Sequence, residues 1–300
     1  PLESNVFHIV GRQHGIEERW PEVGTNDYIA EAGRVAAAIH CDNPEDQPAQ
    51  CDILVFMPGL AETRKVTTAL EKARDDGKLD CGGPVVILVI NREAVNKETA
   101  AFVLVKAPIE MLWKTLAQEE IYSAEAIGAM REKGLTPRRI IVSTVVAETG
   151  LTIETLKYVI DGGWQRASES YHPFGVSGLI TRPAPQSRIK QRKGRAGRLF
   201  PGVFYPLYTR KVFEALPPQQ MPDIVTEGAF SIILDIILGQ QISKTLSLPT
   251  STTGVAAASR LCFRGEDIDM LDPPPADAFA TAIELTVALG FFNDEAELLG

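Results

Sequence analysis

Residues 53–59, Ile53-Leu54-Val55-Phe56-Met57-Pro58-Gly59, place an unbroken apolar run directly before a Pro-Gly break. A short apolar run bounded by turn residues is typical of a strand that is buried on both faces. Amphipathic helical patterns flank this run, over residues 27–40 and 62–73. Strands and helices that alternate in this way predict an α/β fold with a parallel sheet.

The same alternation of short apolar runs and longer amphipathic segments continues along the chain. Further strands are predicted at residues 6–10, 85–90, 140–144 and 158–161, each followed by polar or glycine residues. Because ligands of open α/β sheets bind at the carboxyl ends of the strands, we expect chemistry at these turns. Residues 91–120 mix Val, Ala, Lys and Glu, and they predict a helix with an irregular connection and no site.

Beyond Phe213 the pattern changes to helices separated by prolines. An apolar stripe at helical spacing follows Thr226, which predicts a helix capped by that residue. Residues 273–275 are three consecutive prolines, and a second helical pattern covers residues 276–289. The chain is therefore predicted to consist of one large α/β domain and a smaller, mainly helical one.

The composition describes a globular chain without membrane-spanning features. The 300 residues are 45% hydrophobic and 23% charged, and no apolar stretch is long enough to cross a bilayer. The N-terminal residues lack the pattern of a signal peptide, so we expect an intracellular protein, with nucleus and cytoplasm both open. The four cysteines are scattered without a CxxC pair, which predicts reduced thiols and no cysteine-bound metal.

Positive charge is concentrated in one segment of an otherwise acidic chain. The net charge is −9, yet residues 170–213 contain no Asp or Glu. Their cations are Arg182, Arg188, Lys190, Arg192, Lys193, Arg195, Arg198, Arg210 and Lys211. A solvated basic face is one explanation, and a surface for phosphate groups is the other.

The run Gln191-Arg192-Lys193-Gly194-Arg195-Ala196-Gly197-Arg198 favours phosphate. Its arginines recur every three residues, and on a helical turn that spacing is expected to project them to one side. The two glycines recur at the same interval, which would let a backbone or a ligand approach closely. Guanidinium groups stay charged and offer planar, multidentate donors, as the spreading charge of a transferring phosphoryl group requires.

This run resembles motif VI of superfamily 2 helicases, in the form found in DEAH-type and related viral RNA helicases. The resemblance implies that Gln191, Arg195 and Arg198 face the γ-phosphate of ATP, with Arg195 and Arg198 as arginine fingers. Arg192 and Lys193 would occupy variable or supporting positions.

A second segment, residues 143–154, is similar to motif V of the same family. The resemblance implies that Thr144 contacts the nucleic-acid backbone and that Thr152 and Glu154 lie near the nucleotide ribose. Gly150 stands where the family has a serine that senses the nucleotide, and Val145 replaces an asparagine. From the residues alone, the segment is also compatible with an ordinary connection between a strand and a helix.

Residues 52–62 resemble motif IV, which makes Gly59 a candidate contact for nucleic acid. Residues 171–181 predict a hairpin with Gly175 and Gly178 at its turns, either to part or guide strands or as a plain structural element. The family's adenine-stacking aromatic residue would lie near Met130, where this chain has none.

The resemblance extends over nearly the whole chain and implies its domain organisation. Residues 1–212 would form the second RecA-like lobe, of the P-loop NTPase type, and residues 213–275 a winged-helix-like domain. Residues 276–300 would begin a helical, ratchet-like domain.

Two motifs of the family are absent from this sequence. There is no GxxxxGK[ST] phosphate loop and no DEAH after a buried strand, while Asp294-Glu295-Ala296-Glu297 follows a helix. The resemblance implies ATP with Mg²⁺ as cofactor, and it places the Mg²⁺ ligands on a first RecA-like lobe. This chain alone is therefore expected to be inactive, with that first lobe and RNA, or DNA, as its partners and no membrane.

Two functions stay open at this point. The first is the C-terminal part of an ATP-dependent RNA helicase, and the second is an ATPase-inactive nucleic-acid-binding or scaffold module derived from one. The sequence of the first lobe would separate them. An NAD-dependent oxidoreductase is excluded because no GxGxxG follows a strand near the N-terminus.

Overall fold

A computed structural model of the chain describes residues 14–44, 46, 51–149, 151–171, 176–198 and 200–222, and near the C-terminus residues 281, 284, 285 and 287–290. One sheet contains β1 (Ile16–Glu18), β2 (Asp52–Phe56), β3 (Val85–Ile90), β4 (Arg138–Ser143), β5 (Leu156–Asp161) and β8 (Gly202–Pro206). Its strand order is β1-β8-β5-β2-β4-β3, and every pairing in it is parallel. The predicted α/β fold with a parallel sheet is confirmed.

The described helices, most of which connect these strands, are listed here in chain order. They are α1 (Tyr28–Asp42), α2 (Leu60–Asp75), α3 (Arg92–Asn96), α4 (Ala100–Lys106), α5 (Ile109–Gln118), α6 (Ala124–Glu132), α7 (Val146–Thr149), α8 (Gln186–Lys193) and α9 (Arg210–Ala215). A short 3-10 turn, Asp80–Gly82, follows α2. The strands β6 (Trp164–Tyr171) and β7 (Val176–Pro183) pair separately as a hairpin.

Alternate side chains of the central strands fill two apolar layers, one on each face of the sheet. In β2, Leu54 and Phe56 join a layer with α4, α5 and α8, whereas Ile53 and Val55 join a layer with α1 and α2. All of β2 is buried, as its continuous apolar pattern predicts. Full burial of each such side chain is worth about 1.5–3 kcal/mol, so both layers stabilise the sheet strongly.

The first helix shows why the sequence pattern succeeded in this part of the chain. The Asp27 side chain accepts hydrogen bonds from the backbone N–H groups of Ile29 (3.1 Å) and Ala30 (3.0 Å), which fixes the start of α1. Ala32, Ala36 and Ile39 are buried at helical spacing against the sheet. The predicted helix at residues 27–40 is confirmed, and so are the strands at residues 85–90, 140–144 and 158–161.

Several predicted elements differ from the structure. Residues 91–120, predicted as one helix with an irregular connection, form three short helices, and α6 follows them. The predicted hairpin begins earlier, at Trp164, and Gly178 lies inside β7, so its assignment to a turn was wrong. The strand predicted at residues 6–10, Gly175 and the winged-helix-like segment after Thr226 lie outside the described residues.

The expectation of reduced thiols was wrong for one pair of cysteines. Cys41 in the last turn of α1 and Cys81 in the 3-10 turn form a disulfide across 40 residues of sequence. They meet because α1 packs against α2 and the chain then returns towards the end of α1. Cys51 is a buried free thiol, and burial raises its pKa to about 11.

The chain divides into two compact units. The first comprises residues 1–165 and 182–219 and contains the parallel sheet with helices α1–α9. The second comprises residues 166–181 and 220–300, in which the structure describes the outer part of the hairpin and helical positions between residues 281 and 288. The domain boundaries at residues 213 and 276 stay predictions.

Candidate functional site

Two of the predicted nucleic-acid contacts follow neighbouring strands at the carboxyl edge of the sheet. Thr144 comes directly after β4, and Gly59 lies three residues after β2. The strands pair with Phe56 opposite Ser143, and the N–H of Met57 donates to the Ser143 carbonyl at 2.9 Å. Gly59 is buried at the N-cap of α2, whereas Thr144 is half-buried. The structure thus brings Thr144 and Gly59 to the same edge.

Thr144 opens a compact turn that leads to the predicted ribose contacts. The single-turn helix α7 is held by backbone bonds from Ala147 to the Thr144 carbonyl (3.3 Å) and from Glu148 to the Val145 carbonyl (2.9 Å). In the residues that follow, buried and exposed side chains alternate. Leu151 and Ile153 are buried in the core, whereas the predicted ribose contacts Thr152 and Glu154 are exposed. Gly150 lies outside the described residues.

The run of arginines does not project to one side as predicted. Helix α8 ends at Lys193, so Arg195 and Arg198 lie in the turns that follow it. Arg192 is only 2% exposed and points into the protein, whereas Gln191 lies on the exposed side of the helix. Of the three arginines, Arg192 is therefore internal, Arg195 is half-buried and Arg198 is exposed.

Arg195 and Arg198 both contact the loop of the predicted ribose contacts. The Arg195 Nη1 group donates to the Leu151 carbonyl at 3.1 Å, and Arg198 Nη1 donates to the Thr152 hydroxyl at 3.0 Å. Among the ion pairs of the described residues, neither guanidinium is paired with a carboxylate. Burial, and next the neighbouring charge of Arg198, lower the pKa of Arg195. Two adjacent cations held by neutral groups form a place where an anion is stabilised.

Arg192 is the centre of a buried polar network that the sequence did not reveal. Its Nε donates to Glu148 Oε1 at 2.5 Å, and its Nη1 donates to Asp161 Oδ1 at 2.8 Å and to the Trp164 carbonyl at 3.1 Å. Both carboxylates are buried, and the Tyr208 hydroxyl donates to the other Asp161 oxygen at 2.7 Å.

The charge of Arg192 is maintained although the side chain is buried. Burial disfavours the charged guanidinium, but the attraction of Asp161 and Glu148 outweighs it, and the pKa of Arg192 is raised. Ile189, one helical turn earlier, is buried as well. An arginine on the apolar face of a helix was the signal that could have identified this residue.

Gly197 is required for close backbone packing and not for access of a ligand. Its φ is +72°, in the left-handed region, and an added Cβ would lie 2.8 Å from Ile16 Cγ1 and 2.9 Å from the His14 carbonyl. The His14 N–H donates to the Gly197 carbonyl at 2.9 Å. The second glycine of the run therefore holds the turn against the edge strand β1.

Two further positions that the resemblance singled out are Met130 and Val145. Met130 is partly buried against the core, and Val145 is 39% exposed. The part of the chain that the structure describes contains no group of three or more His, Cys, Asp or Glu that could hold a metal ion. None of its helices is long and apolar enough to cross a membrane.

The chain is similar to known helicases. Residues 78–200 match the family model described as the helicase conserved C-terminal domain. The chain is 48% identical over 291 residues to the protein named Putative RNA Helicase B962L of African swine fever virus. The matched region is 97% of this chain and 28% of that protein. It is 27% identical over 291 residues to the pre-mRNA-splicing factor ATP-dependent RNA helicase prp22 of Schizosaccharomyces pombe, covering 20% of that protein.

The fold also matches solved structures. The chain superimposes on crystal structures of Escherichia coli HrpB, described as a DExH-box NTPase and as a DEAH/RHA helicase, with TM-scores of 0.61 and 0.59 and 21% identity. The match covers 97% of this chain and 28% or 29% of those chains. The predicted RecA-like α/β fold is confirmed, and so is the resemblance to DEAH-type RNA helicases.

Proposed function

We propose that this chain, whose residues 78–200 match the helicase conserved C-terminal domain, acts as the second RecA-like lobe of an ATP-dependent RNA helicase. Arg195 and Arg198 would reach the γ-phosphate of ATP held by a first lobe. Thr144 and Gly59 would contact the backbone of the nucleic-acid strand, which is RNA, or DNA. The names of the relatives, which this chain covers by 28% and 20%, favour RNA.

The observation that carries this proposal is the pair of surface arginines beside the loop of Thr152 and Glu154. Both guanidiniums are held by a carbonyl or a hydroxyl, so their charge is available to an external anion. During phosphoryl transfer, charge spreads over the equatorial oxygens of the γ-phosphate, and arginines placed there accelerate the reaction. The exposed Glu154 carboxylate is suited to accept hydrogen bonds from ribose hydroxyls.

ATP fits these residues, while Mg²⁺ must be held elsewhere. When bound, ATP with Mg²⁺ supplies the phosphoryl group and a divalent charge between its phosphates. The described residues offer cations and hydroxyls to a phosphate but no cluster of carboxylates for a metal. We therefore expect the Mg²⁺ ligands on the first lobe and no ATP hydrolysis by this chain alone.

The strand contacts lie on a different part of the same edge. Gly59 is the extended N-cap residue of α2, and Thr144 lies two residues before α7 begins. A threonine hydroxyl and backbone N–H groups contact phosphates without reading the bases. Binding by these residues would therefore be independent of sequence.

The proposal is tested by Arg195→Ala in the full-length protein that contains both lobes. We expect the RNA-stimulated ATPase rate to fall by about 10³-fold, because one arginine finger contributes that order of acceleration. RNA affinity, measured by fluorescence anisotropy, should change little. Arg34→Ala is the matched control, since Arg34 lies on the surface of α1 and pairs with Glu31. Unchanged turnover in Arg195→Ala would exclude the finger assignment.

A second candidate is an ATPase-inactive nucleic-acid-binding or scaffold module. Met130, Val145 and Gly150 favour it, because the resemblance places an adenine-stacking aromatic and two polar residues there. An ATPase measurement on the wild-type full-length protein separates the two candidates. RNA-stimulated hydrolysis identifies the enzyme, whereas RNA binding without hydrolysis identifies the module.

A further inference from the structure

We infer that Arg192 is a positioning residue that fixes the two arginine fingers relative to the strand contact at Thr144. The inference rests on the proposed function and deepens it, because it names the group through which RNA binding reaches the ATP site. Arg192 would touch neither ATP nor RNA. It would act through Glu148 on one side and through Arg195 on the other.

The first step runs from Thr144 to Glu148. Backbone bonds from Ala147 to the Thr144 carbonyl and from Glu148 to the Val145 carbonyl close one helical turn. Glu148 is 3% exposed, so its side chain points away from the strand contact and into the protein. A displacement of the Thr144 backbone on binding a strand therefore moves the Glu148 carboxylate.

The second step is the contact between Glu148 and Arg192. The Arg192 guanidinium joins Glu148 to Asp161, the last residue of β5, and also bonds the Trp164 carbonyl. Arg188 is the second cation near Glu148, with 3.9 Å between Nη1 and Oε2. Arginine holds the two carboxylates and the carbonyl from two nitrogens of one rigid plane, whereas all three donors of a lysine lie on a single nitrogen.

The third step runs from Arg192 to the fingers. The Arg195 N–H donates to the Arg192 carbonyl at 3.0 Å, so both residues belong to one tight turn after α8. Arg195 and Arg198 then contact Leu151 and Thr152, a few residues beyond Glu148. Arg192 thus binds this connection at Glu148, and the two fingers bind it at Leu151 and Thr152.

A purely structural role would be expected to affect stability alone. Buried ion pairs often contribute little net stability compared with apolar replacements of the same size. Arg139 offers the comparison, because it is also buried and also binds an aspartate, but at the opposite edge of the sheet. The contacts of Arg139 involve none of the predicted site residues.

The experiment compares Arg192→Lys and Arg139→Lys in the full-length protein with both lobes. Steady-state ATPase rates are measured with and without a single-stranded RNA oligonucleotide, together with the KM for ATP, the Kd for RNA and the thermal midpoint. In Arg192→Lys we expect the ratio of RNA-stimulated to basal kcat to fall at least about tenfold, while KM and Kd stay within about threefold. Arg139→Lys should lower the thermal midpoint and leave that ratio unchanged.

Each outcome supports or overturns a defined statement. A wild-type protein without RNA-stimulated hydrolysis would remove the proposed function, and this inference with it. A stimulated wild type with an unchanged ratio in Arg192→Lys would overturn the inference and leave the proposed function standing. If Arg192→Lys fails to fold, Glu148→Gln tests the same contact, since it keeps the shape and removes the charge. A ratio retained in Glu148→Gln would then overturn the inference.

Discussion

Arg139 and Arg192 are buried arginines at opposite edges of the same parallel sheet. Arg139, near the start of β4, donates to Asp52 Oδ2 from Nε (2.9 Å) and from Nη2 (2.7 Å). Arg192, near the end of α8, donates to Glu148 and to Asp161, the last residue of β5. Both arginines also bond backbone carbonyls. Both are charged groups held by buried acceptors, but Arg139 binds one carboxylate at the amino edge and Arg192 binds two at the carboxyl edge.

We assign different roles to the networks of Arg139 and Arg192, because they lie at opposite edges of the sheet. Arg139 joins the start of β2, Thr155 before β5 and the end of α4, and all of these serve the packing of the sheet. Arg192 joins Glu148, in the turn after Thr144, to Asp161 at the end of β5, and its carbonyl accepts from the Arg195 N–H. Because ligands of parallel sheets bind at the carboxyl edge, we propose that the Arg139 network stabilises the fold and that the Arg192 network also positions a site.

The largest expected effect on stability is shared by both edges. Arg139→Ala and Arg192→Ala should each lower the free energy of unfolding by about 3–5 kcal/mol, because each leaves a buried carboxylate without its cation. Urea denaturation of the chain, followed by circular dichroism, measures both values. If the loss for either variant is below about 1 kcal/mol, the two networks do not stabilise the folded state equally, which would contradict this expectation.

A second difference between the two edges is the pH dependence that His40 is expected to give to the amino edge. His40 is buried beside Arg138, and burial followed by the charge of Arg138 lowers its pKa from 6.5 to about 4. The folded state therefore favours neutral His40, and its stability is complete above pH about 6.5. As pH falls from 6.5 to about 4, the unfolded chain takes up a proton that the folded chain excludes, and up to about 3 kcal/mol is lost.

His40→Gln isolates this contribution, because glutamine does not titrate. The difference in unfolding free energy between wild type and His40→Gln, measured by urea titration at several pH values, should change between pH 6.5 and about 4. A difference that is constant over this range would show that His40 is not the titrating group.

A smaller effect concerns the backbone of the carboxyl edge. Gly197→Ala should cost about 1–3 kcal/mol, because a left-handed φ is unfavourable for alanine and its Cβ would meet Ile16 and the His14 carbonyl. Gly128→Ala is the control, since Gly128 lies in α6 with open space around it and alanine there should stabilise by about 0.5–1 kcal/mol. Equal effects in thermal denaturation would refute the packing role of Gly197.

The local hydrophobic pattern of the sequence was sufficient to predict the central strands and the first helix. β2, β3 and α1 were predictable because a buried strand and an amphipathic helix each repeat their pattern over at least five residues. β1 was missed because it has three residues, and its pairing with β8 joins distant parts of the chain. The helices between residues 92 and 118 were merged because each is short, and caps such as Asn91 had no long periodic segment to support them.

The positions of some predicted site residues followed from the sequence, but the contacts between them did not, and their roles stay predictions. Thr144 and Gly59 reached one edge as expected, because parallel strands end together. The burial of Arg192 depends on carboxylates 44 and 31 residues away, and no periodicity reports contacts over that distance. The pairing of Cys41 with Cys81 was missed for the same reason.

We propose that residues at the carboxyl edge take part in ATP hydrolysis, whereas the network at the amino edge serves only the packing of the sheet. The most direct test is the RNA-stimulated ATPase rate of the full-length protein with Arg198→Ala beside Arg139→Lys, measured where both are folded. We predict a loss of about 10³-fold for Arg198→Ala with RNA binding retained, and a rate close to wild type for Arg139→Lys. An unchanged rate in Arg198→Ala, or equal losses in the two variants, would contradict the claim.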